Sequence, residues 1–279
     1  MTTLLDGEKV AQEIRKDLGH KVSQRKKKGI PGLAAVLIGN DPASQIYVSR
    51  KEKAAKECGF YSEIHKLEPT LKESELISII HKLNKSSKIH GILVQLPLPL
   101  HFSQEKIVNT ISPEKDVDGF HPTNLGHLFM GNALFIPCTP KGIIHLLKSY
   151  KIEINGKRAV VVGRSITVGK PVAHLLLQEN ATVTICHSKT KNLEEICQEA
   201  EILIAAAGKP KLIKNSFVKE GAVVVDVGIH RLQNKLVGDV DFETVKSKAS
   251  FISPVPGGVG PMTIAMLLQN TWESFNRCV

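Results

Sequence analysis

The segment Arg158–Pro171 constrains the fold of this chain more than any other stretch. Four apolar residues, Ala159–Val162, lead into Gly163, and Gly169 opens a second apolar run. This pattern predicts a buried parallel strand, a tight turn and the start of a helix. Glycines let a phosphate approach the backbone closely, and the free N–H groups of a helix N-terminus favour an anion. Because the complete G-x-G-x-x-G pattern is missing, the segment fits either a dinucleotide site or an ordinary strand–helix turn.

Strand and helix patterns alternate on both sides of this segment. The second half continues with predicted strands at Thr182–Cys186, Ile202–Ala205 and Ala222–Val227 and helices at Gly169–Gln178 and Leu193–Glu199. This is the βαβαβ pattern of a mononucleotide-binding sheet with one further strand. The first half predicts strands at Leu33–Ile38, Phe60–Leu67 and Ile89–Leu96 and helices at Gly7–Lys27, Ala43–Cys58 and Leu71–Asn84.

The alternation is interrupted between the two halves. Pro97–Pro99 ends a predicted strand, a short helix is predicted at Ser103–Thr110, and the segment around Asp116–Gly119 fits neither periodicity. Asn155-Gly156 is typical of a linker turn, and Met262–Phe275 predicts a final helix. The 279 residues therefore divide into two α/β domains, each with its own core.

Composition narrows the class of protein. With 42% hydrophobic and 23% charged residues, the chain has the composition of a soluble globular protein. Met1–Lys16 carries charges where a signal peptide is apolar, and no apolar run is long enough to span a membrane. The five cysteines form no C-x-x-C pair, so we expect reduced, structural thiols and no metal site. We expect a cytoplasmic location.

A formal net charge of +10 predicts an anionic partner. Nucleic acid, a membrane surface and a polyanionic small molecule all fit this charge. The densest basic cluster, Arg25–Lys28, follows a predicted amphipathic helix, where cations favour the helix C-terminus and solvent. Stacking aromatics, which single-stranded nucleic acid binding requires, do not accompany it. Composition alone does not choose among the three kinds of partner.

Tyr47 and Lys51 are four residues apart on a predicted helix, so they lie one turn apart on the same side. A lysine beside a phenol can change its pKa and act as an acid or a base, and the ring offers a stacking surface. The alternative is a solvated charge, because Lys51 lies in the run Arg50-Lys-Glu-Lys53.

Polar residues also interrupt the strand and loop that follow. Gln95 lies near the carboxyl end of an apolar strand, where open α/β sheets bind ligands, although a strand-end amide can also bond to local backbone. Asp116 and Asp118 are two residues apart, which suits a carboxylate pair, a metal site or a turn cap.

The turn after the second strand of the second sheet bears on cofactor choice. His187–Thr190 contains no acidic residue, whereas an NAD site usually places one here for the ribose hydroxyls. Hydroxyl and basic groups suit the additional phosphate of NADP instead. With Arg164 in the glycine turn, NADP is the predicted cofactor if a dinucleotide binds.

Five local sequences together resemble one family, the bifunctional methylenetetrahydrofolate dehydrogenase/methenyltetrahydrofolate cyclohydrolases. The resemblance extends from about Leu5 to Arg277, with the segments in the expected order. These segments are Tyr47-Val-Ser-Arg-Lys51, Val94-Gln-Leu-Pro-Leu-Pro99, Lys115-Asp-Val-Asp-Gly-Phe-His-Pro122, Gly163-Arg-Ser-x-x-Val-Gly-x-Pro171 and Pro254-Val-Pro-Gly-Gly-Val-Gly-Pro-Met-Thr263.

The resemblance implies two reactions in one site. NADP+ takes a hydride from 5,10-methylenetetrahydrofolate, and water opens the methenyl product to 10-formyltetrahydrofolate. By the family pattern, Lys51 serves the hydrolytic step, Tyr47 stacks on the folate, Gln95 positions the lysine, and Asp118 holds the pterin. Further implied folate contacts are Leu96, Pro256, Gly257 and Gly258, and the implied NADP contacts are Gly163, Arg164, Ser165, Val168, Gly169, His187, Ser188 and Ile229.

The resemblance also implies a fold of two lobes with a cleft between them. An amino-terminal α/β catalytic domain comprises residues 1–138, with residues 262–279 returning to it as the last helix. Residues 139–261 form a Rossmann-like NADP-binding domain, through which members pair as homodimers. Anionic NADP and polyglutamylated folates then account for the net charge, so the expected partners are these small molecules and neither nucleic acid nor a membrane.

One residue departs from the family pattern. Many members have Asp-Val-Gly-Ile-Asn where this chain has Asp226-Val-Gly-Ile-His230. This substitution bears on contacts near the cofactor and leaves the lysine unaffected.

Three other classes explain fewer of these residues. In short-chain dehydrogenases a Tyr-x-x-x-Lys pair follows the nucleotide-binding turn, whereas Tyr47 and Lys51 precede it. A dehydrogenase for an amino acid or a shikimate-like substrate does not account for Gln95 and Asp118 together. A basic nucleic-acid-binding protein would bind in a salt-sensitive way and leaves the glycine turns without a role.

Overall fold

A computed structural model describes residues 1–25, 29–233 and 235–278. The strands along the chain are β1 Thr3–Leu4, β2 Gly32–Ile38, β3 Tyr61–Leu67, β4 Gly91–Val94, β5 Arg158–Val162, β6 Thr182–Cys186, β7 Ile202–Ala205, β8 Val223–Asp226, β9 His230–Leu232, β10 Lys235–Val237 and β11 Phe251–Ile252. The helices are α1 Gly7–Gln24, α2 Pro42–Glu57, α3 Glu73–Lys85, α4 Gln104–Thr110, α5 Pro122–Phe129, α6 Cys138–Ser149, α7 Gly169–Gln178, α8 Leu193–Gln198, α9 Phe242–Val245 and α10 Val259–Cys278.

The chain divides into two compact units. The first unit comprises Gln12–Cys138 and the chain from Ile264, and the second comprises Met1–Ala11 and Thr139–Thr263. The last helix therefore contributes most of its length to the first unit. Within the described residues, no helix combines the length and the apolar content needed to cross a bilayer.

The first unit is built on three parallel strands in the order β3-β2-β4. The central strand β2 is apolar along its whole length and is buried at every position, as expected for a parallel strand with both faces covered. On one side of this sheet, Leu76, Ile80 and Leu83 of α3 form a buried stripe at helical spacing.

The second unit contains a parallel sheet with the strand order β1-β11-β8-β7-β5-β6. Valine and isoleucine fill its central strands, whose residues are buried almost throughout. The two-residue strand β1 pairs with β11, so the start of the chain belongs to this sheet, although the sequence-based boundary grouped residues 1–138 together. An antiparallel pair, β9 with β10, follows β8.

Most predicted elements are present with ends shifted by a few residues, and the α/β class is confirmed. The predicted strand Ile89–Leu96 is shorter in the structure, since β4 covers Gly91–Val94. Lys26–Lys28, which include the end of the predicted first helix and most of the basic cluster, lie outside the described residues. Arg25, the remaining member of that cluster, bonds to Asn276 and lies 5.7 Å from the centre of the Trp272 ring.

Candidate functional site

Lys51 lies on the buried face of α2. The helix begins at Asp41, whose carboxylate accepts a hydrogen bond from the Ser44 N–H, and Pro42 occupies its first turn. The buried residues of this helix recur at helical spacing, and Lys51 is among them, with 7% of its surface exposed. The structure therefore excludes the reading of Lys51 as a solvated charge. Tyr47, one turn earlier, is half-buried, and burial raises the pKa of its phenol.

Gln95 holds the Lys51 amine. Nζ of Lys51 donates to Oε1 of Gln95 over 3.0 Å, while Nε2 of Gln95 donates to the carbonyl of Leu96 over 2.7 Å. The second bond fixes the amide so that its oxygen, rather than its NH2 group, faces the lysine. The Gln95 N–H donates to the carbonyl of Val36 on the central strand, which anchors the residue to the sheet. Leu96 is half-buried and precedes a cis peptide bond to Pro97.

Burial shifts Lys51 and Asp118 toward their neutral forms. The pKa of Lys51 is lowered by loss of solvation, and the negative charge of Asp118 partly offsets this. The pKa of Asp118 is raised by burial, against the effects of the Lys51 charge and a hydrogen bond with Cys138. Burial therefore favours the neutral form of each group, while the charge of each favours the ionised form of the other.

Asp116 has a different role from Asp118. Its carboxylate accepts hydrogen bonds from the N–H groups of Phe120 and His121 and from the side-chain amide of Asn124. Burial raises the pKa of Asp116 to about 6 in spite of these bonds. Asp116 therefore caps the turn that presents Asp118. Among the described residues, no group of three or more His, Cys, Asp or Glu side chains is arranged to hold a metal ion.

The site also depends on residues that the sequence analysis did not identify. Asn270 of α10 is fully buried, and its amide donates to the carbonyls of Val117 and Ile136 over 2.8 and 3.0 Å. The buried thiol of Cys138 donates to the same Val117 carbonyl over 3.2 Å. These bonds fix the backbone immediately before Asp118. The sequence signal that could have identified Asn270 was an amide among the apolar residues of the last helix.

The glycine turn of the second unit has no room for side chains. A Cβ on Gly163, which has a φ of +139°, would lie 2.0 Å from the carbonyl oxygen of Ala206. A Cβ on Gly169 would lie 2.3 Å from the carbonyl oxygen of Gly163. Both glycines are therefore needed for the turn itself, which brings the N-terminus of α7 close to the end of β5.

Ser165 and Arg164 form the outer part of this turn. Oγ of Ser165 accepts hydrogen bonds from the N–H groups of Val168 and Gly169 over 3.1 and 3.2 Å, which caps the start of α7. Arg164 is exposed, and Val168 is half-buried. An exposed guanidinium beside a helix N-terminus is suited to a phosphate group.

The turn after β6 lies next to the glycine turn. The Gly163 N–H donates to the carbonyl of Cys186 over 2.9 Å. His187 and Thr190 close the second turn through two hydrogen bonds, and Ser188 is exposed. The glycine turn, the start of α7 and the turn after β6 thus lie together where β5 and β6 end. Gly163 and Gly169 leave space there that side chains would fill, and the turn after β6 contains no carboxylate. These features fit a dinucleotide that carries an additional phosphate.

The other predicted cofactor and folate contacts of the second unit lie on two further loops. Ile229 follows β8 and is 43% exposed. Pro256 is exposed after a cis peptide bond, and the carbonyl of Gly257 accepts from the N–H of Glu8. Gly258 is buried beside the start of the first helix. The structure thus places Tyr47, Lys51, Gln95, Leu96 and Asp118 in the first unit and all other predicted site residues in the second.

Comparison with known proteins identifies both parts of the chain. Residues 5–118 match the family model described as tetrahydrofolate dehydrogenase/cyclohydrolase, catalytic domain, and residues 137–279 match that of the NAD(P)-binding domain. The bifunctional protein FolD of Moorella thermoacetica is 57% identical over 98% of this chain and 99% of its own length.

Solved structures give the same result. The bifunctional enzyme FolD, methylenetetrahydrofolate dehydrogenase/cyclohydrolase, from Campylobacter jejuni is 49% identical, with a TM-score of 0.97 and full coverage of both chains. FolD from Trypanosoma brucei, solved with NADP cofactor and an inhibitor, is 40% identical, with a TM-score of 0.95 over 99% of this chain and 98% of that one. This chain therefore belongs to the tetrahydrofolate dehydrogenase/cyclohydrolase family and is a bifunctional enzyme with a catalytic domain and an NADP-binding domain.

Proposed function

We propose that the site around Lys51 carries both reactions of this enzyme. In the first, 5,10-methylenetetrahydrofolate is oxidised to the 5,10-methenyl cation, and bound NADP+ supplies the hydride acceptor. In the second, water converts that cation to 10-formyltetrahydrofolate. The observation that carries the proposal is a buried lysine with a lowered pKa, held by a glutamine amide over 3.0 Å.

Lys51 is suited to the hydrolytic step because its neutral form can accept a proton. Water adds to the bridging carbon of the methenyl cation while Nζ of Lys51 takes the proton that the water loses. The bond from that carbon to one ring nitrogen then breaks, the nitrogen is protonated, and the formyl group remains on the other. A fully charged lysine would oppose the cationic substrate, so a lowered pKa favours this step.

The neighbouring side chains position the lysine and the folate. Gln95 directs Nζ, and Tyr47 offers its half-buried ring to the folate for stacking. Asp118, held by the turn that Asp116 caps, hydrogen-bonds to the pterin ring. By the family pattern, we assign further folate contacts to Leu96 of the first unit and to Pro256, Gly257 and Gly258 of the second.

The glycine turn of the second unit binds NADP. Gly163 and Gly169 allow the backbone to approach the pyrophosphate, and Ser165 and Val168 complete the turn at the start of α7. Arg164, His187 and Ser188 surround the additional phosphate, and Ile229 covers the cofactor with its exposed side chain. These NADP contacts match the family pattern, and the geometry of the glycine turn supports the assignment.

Reduction of cofactor by 5,10-methylenetetrahydrofolate, measured with NADP+ and NAD+ in parallel, tests the reaction and the preference together. We expect reduction with both and a higher kcat/KM with NADP+. Arg164→Ala should lower the NADP+/NAD+ ratio of kcat/KM about tenfold, the effect of losing one charge-assisted phosphate contact worth roughly 1.4 kcal/mol. Lys219→Ala, another exposed cation of the second unit, serves as the control. Wild-type protein that reduces neither cofactor would refute the proposal.

We assign folate binding to residues 1–138 with 262–279 and NADP binding to residues 139–261. The pairing of β1 with β11 adds the first strand to the sheet of the NADP-binding part without changing this division of tasks. A cytoplasmic location is part of the proposal and is supported by the five cysteines, all within the described residues, which form no disulfide with one another. The net charge of +10 supports anionic substrates, including polyglutamylated folates.

A homodimer through the NADP-binding part completes the proposal. Strand β6 forms one edge of the sheet, and it exposes Thr182, Thr184 and Ile185 without a charged residue or a proline along its length. Such an edge is a template for pairing with a second copy. By contrast, β3, an edge of the other sheet, carries Glu63, His65 and Lys66.

Light scattering after size exclusion tests this interface. We expect the wild type at twice the chain mass of 30.5 kDa and Ile185→Lys at the chain mass, because a lysine on an edge strand opposes pairing. Tyr61→Lys, on the edge strand β3, should remain dimeric. A dimeric Ile185→Lys protein would place the interface elsewhere.

A further inference from the structure

The side chain of Asp239 joins three segments of the second unit. It is fully buried, and its Oδ2 accepts hydrogen bonds from the N–H groups of Ala207 and Gly208 over 2.6 and 2.9 Å. Its Oδ1 lies 2.7 Å from Nε2 of His230, whose side chain is 22% exposed. His230 is thus the side-chain partner of Asp239, and a buried carboxylate requires such hydrogen-bond partners.

A second buried carboxylate fixes the loop that carries this pair. Oδ1 of Asp226, at the end of β8, accepts from the N–H groups of Gly228 and Asp239, and its Oδ2 accepts from that of Val240. Both ends of the β9–β10 hairpin are therefore attached to one side chain. The backbone of Asp239 is therefore fixed by Asp226, while its Oδ1 faces Nε2 of His230.

The loop that Asp239 holds is the one against which the glycine turn packs. The N–H of Ala206 donates to the carbonyl of Val162, directly before Gly163, over 2.8 Å. The carbonyl oxygen of Ala206 occupies the space that a Cβ on Gly163 would need. The contacts therefore run without a gap from His230 through Asp239 and the loop Ala206–Gly208 to the turn proposed to hold the NADP pyrophosphate.

We propose that His230 and Asp239 form a positioning pair that holds the loop Ala206–Gly208 against the glycine turn and thereby sets the affinity for NADP. His230 acts by donating from Nε2 to Asp239. Without that donor, Oδ1 of Asp239 is an unpaired acceptor in a buried position, and the carboxylate is free to turn away from the loop. Ile229, which adjoins His230 and contacts NADP in the proposed function, is held in place by the same bond.

His230→Ala tests the pair, with the dissociation constant of NADP+ as the first readout. We expect this constant to rise about tenfold, the effect of roughly one unsatisfied buried acceptor. The KM for NADP+ should rise with it, while kcat at saturating NADP+ and the cyclohydrolase rate, measured without NADP+, should stay within about twofold of wild type, because the described hydrogen bonds of His230 and Asp239 lie within the second unit and Lys51 belongs to the first.

Two replacements of His230 separate donation from packing. His230→Gln places an amide N–H at about the distance of Nε2 and should restore wild-type affinity for NADP+, whereas His230→Met fills a similar volume without a donor and should behave like His230→Ala. His230→Met also carries the test if the alanine variant does not fold. His145→Ala, a half-buried histidine of α6 in the same unit, should bind NADP+ as the wild type does.

The inference rests on the proposed placement of NADP at the glycine turn, and the outcomes distinguish the two. Wild-type protein that binds no NADP+ would overturn the proposed function and the role of the pair with it. If the wild type binds NADP+ and neither His230→Ala nor His230→Met changes the dissociation constant, the role of the pair is overturned and the proposed function stands. Equal weakening by His230→Gln and His230→Met would show that the shape of the histidine matters and its donor does not, which also contradicts the inference.

Discussion

Lys51→Met should remove most of the enzymatic hydrolysis of 5,10-methenyltetrahydrofolate while folate binding is largely kept. We expect the rate to fall by roughly 10²- to 10⁴-fold, the range that a positioned acid or base contributes. The methionine preserves the length and the apolar stem of the side chain in a position that is 7% exposed, so the variant removes the amine with little change in packing. Spectroscopic decay of the methenyl substrate measures the rate.

Two further lysine variants make this result specific. Lys53→Met, at an exposed position of the same helix, should hydrolyse the substrate at the wild-type rate. Lys51→Arg keeps a cation that cannot lose its proton, so it should be as inactive as Lys51→Met if the neutral amine is the working form. Hydrolysis by Lys51→Met at the wild-type rate would remove Lys51 from the mechanism.

The pH profile of the wild type follows from the direction of the Lys51 pKa. Because the neutral amine accepts the proton, the enzymatic rate should rise with pH until the amine is deprotonated and then become constant. Burial lowers the pKa of Lys51 from 10.5, so the constant region should begin at a lower pH than an exposed lysine would give. This rise should be missing in Lys51→Met after subtraction of the uncatalysed reaction.

Gly163→Ala should weaken NADP+ binding strongly and leave the cyclohydrolase reaction unchanged. The added Cβ would lie 2.0 Å from the carbonyl oxygen of Ala206, whose own N–H is bonded to the sheet, so the turn must move. We expect kcat/KM for NADP+ to fall about a hundredfold, which corresponds to roughly 2.8 kcal/mol and lies within the cost of overpacking. The rate of cofactor reduction and an NADP+ titration measure the effect.

Gly221→Ala is the matched control for this variant. Gly221 also has a positive φ, of +76°, yet a Cβ there would meet nothing within 4 Å. It should lower the free energy of unfolding by about 1–2 kcal/mol, the cost of a left-handed backbone with a side chain, with no change in NADP+ affinity. If Gly163→Ala and Gly221→Ala weaken NADP+ binding equally, backbone strain rather than close approach would explain the result.

Apolar periodicity was sufficient to predict the regular core of both units. The runs Leu33–Ile38 and Ala159–Val162 are strands because a parallel strand covered on both faces is apolar throughout. Apolar periodicity does not predict α5 or the β9–β10 hairpin, because these elements are short and partly exposed. Their positions are set by hydrogen bonds that the carboxylates of Asp116 and Asp226 accept, and sequence periodicity does not reveal such bonds.

The candidate site, like the fold, was predicted only in part from the sequence. Five short segments in the right order predicted the family, and the comparisons confirmed it. The charged neighbours of Lys51 gave no sign that this residue is buried, and its burial follows from the packing of α2 against the sheet. Nor could spacing separate Asp116, which caps a turn, from Asp118, which is coupled to the lysine.

By itself, the sequence determined the strand–turn–helix at Arg158–Pro171, the two α/β domains and the set of residues that carry the family resemblance. These are local properties, since they depend on the order of apolar residues and on where glycine occurs. Only the tertiary structure decided which polar groups are deprived of water and which partners they meet. Loss of solvation lowers the pKa of Lys51. Hydrogen bonds between residues far apart in the chain fix the backbone before Asp118 through Asn270 and connect His230 through Asp239 to the loop beside the glycine turn.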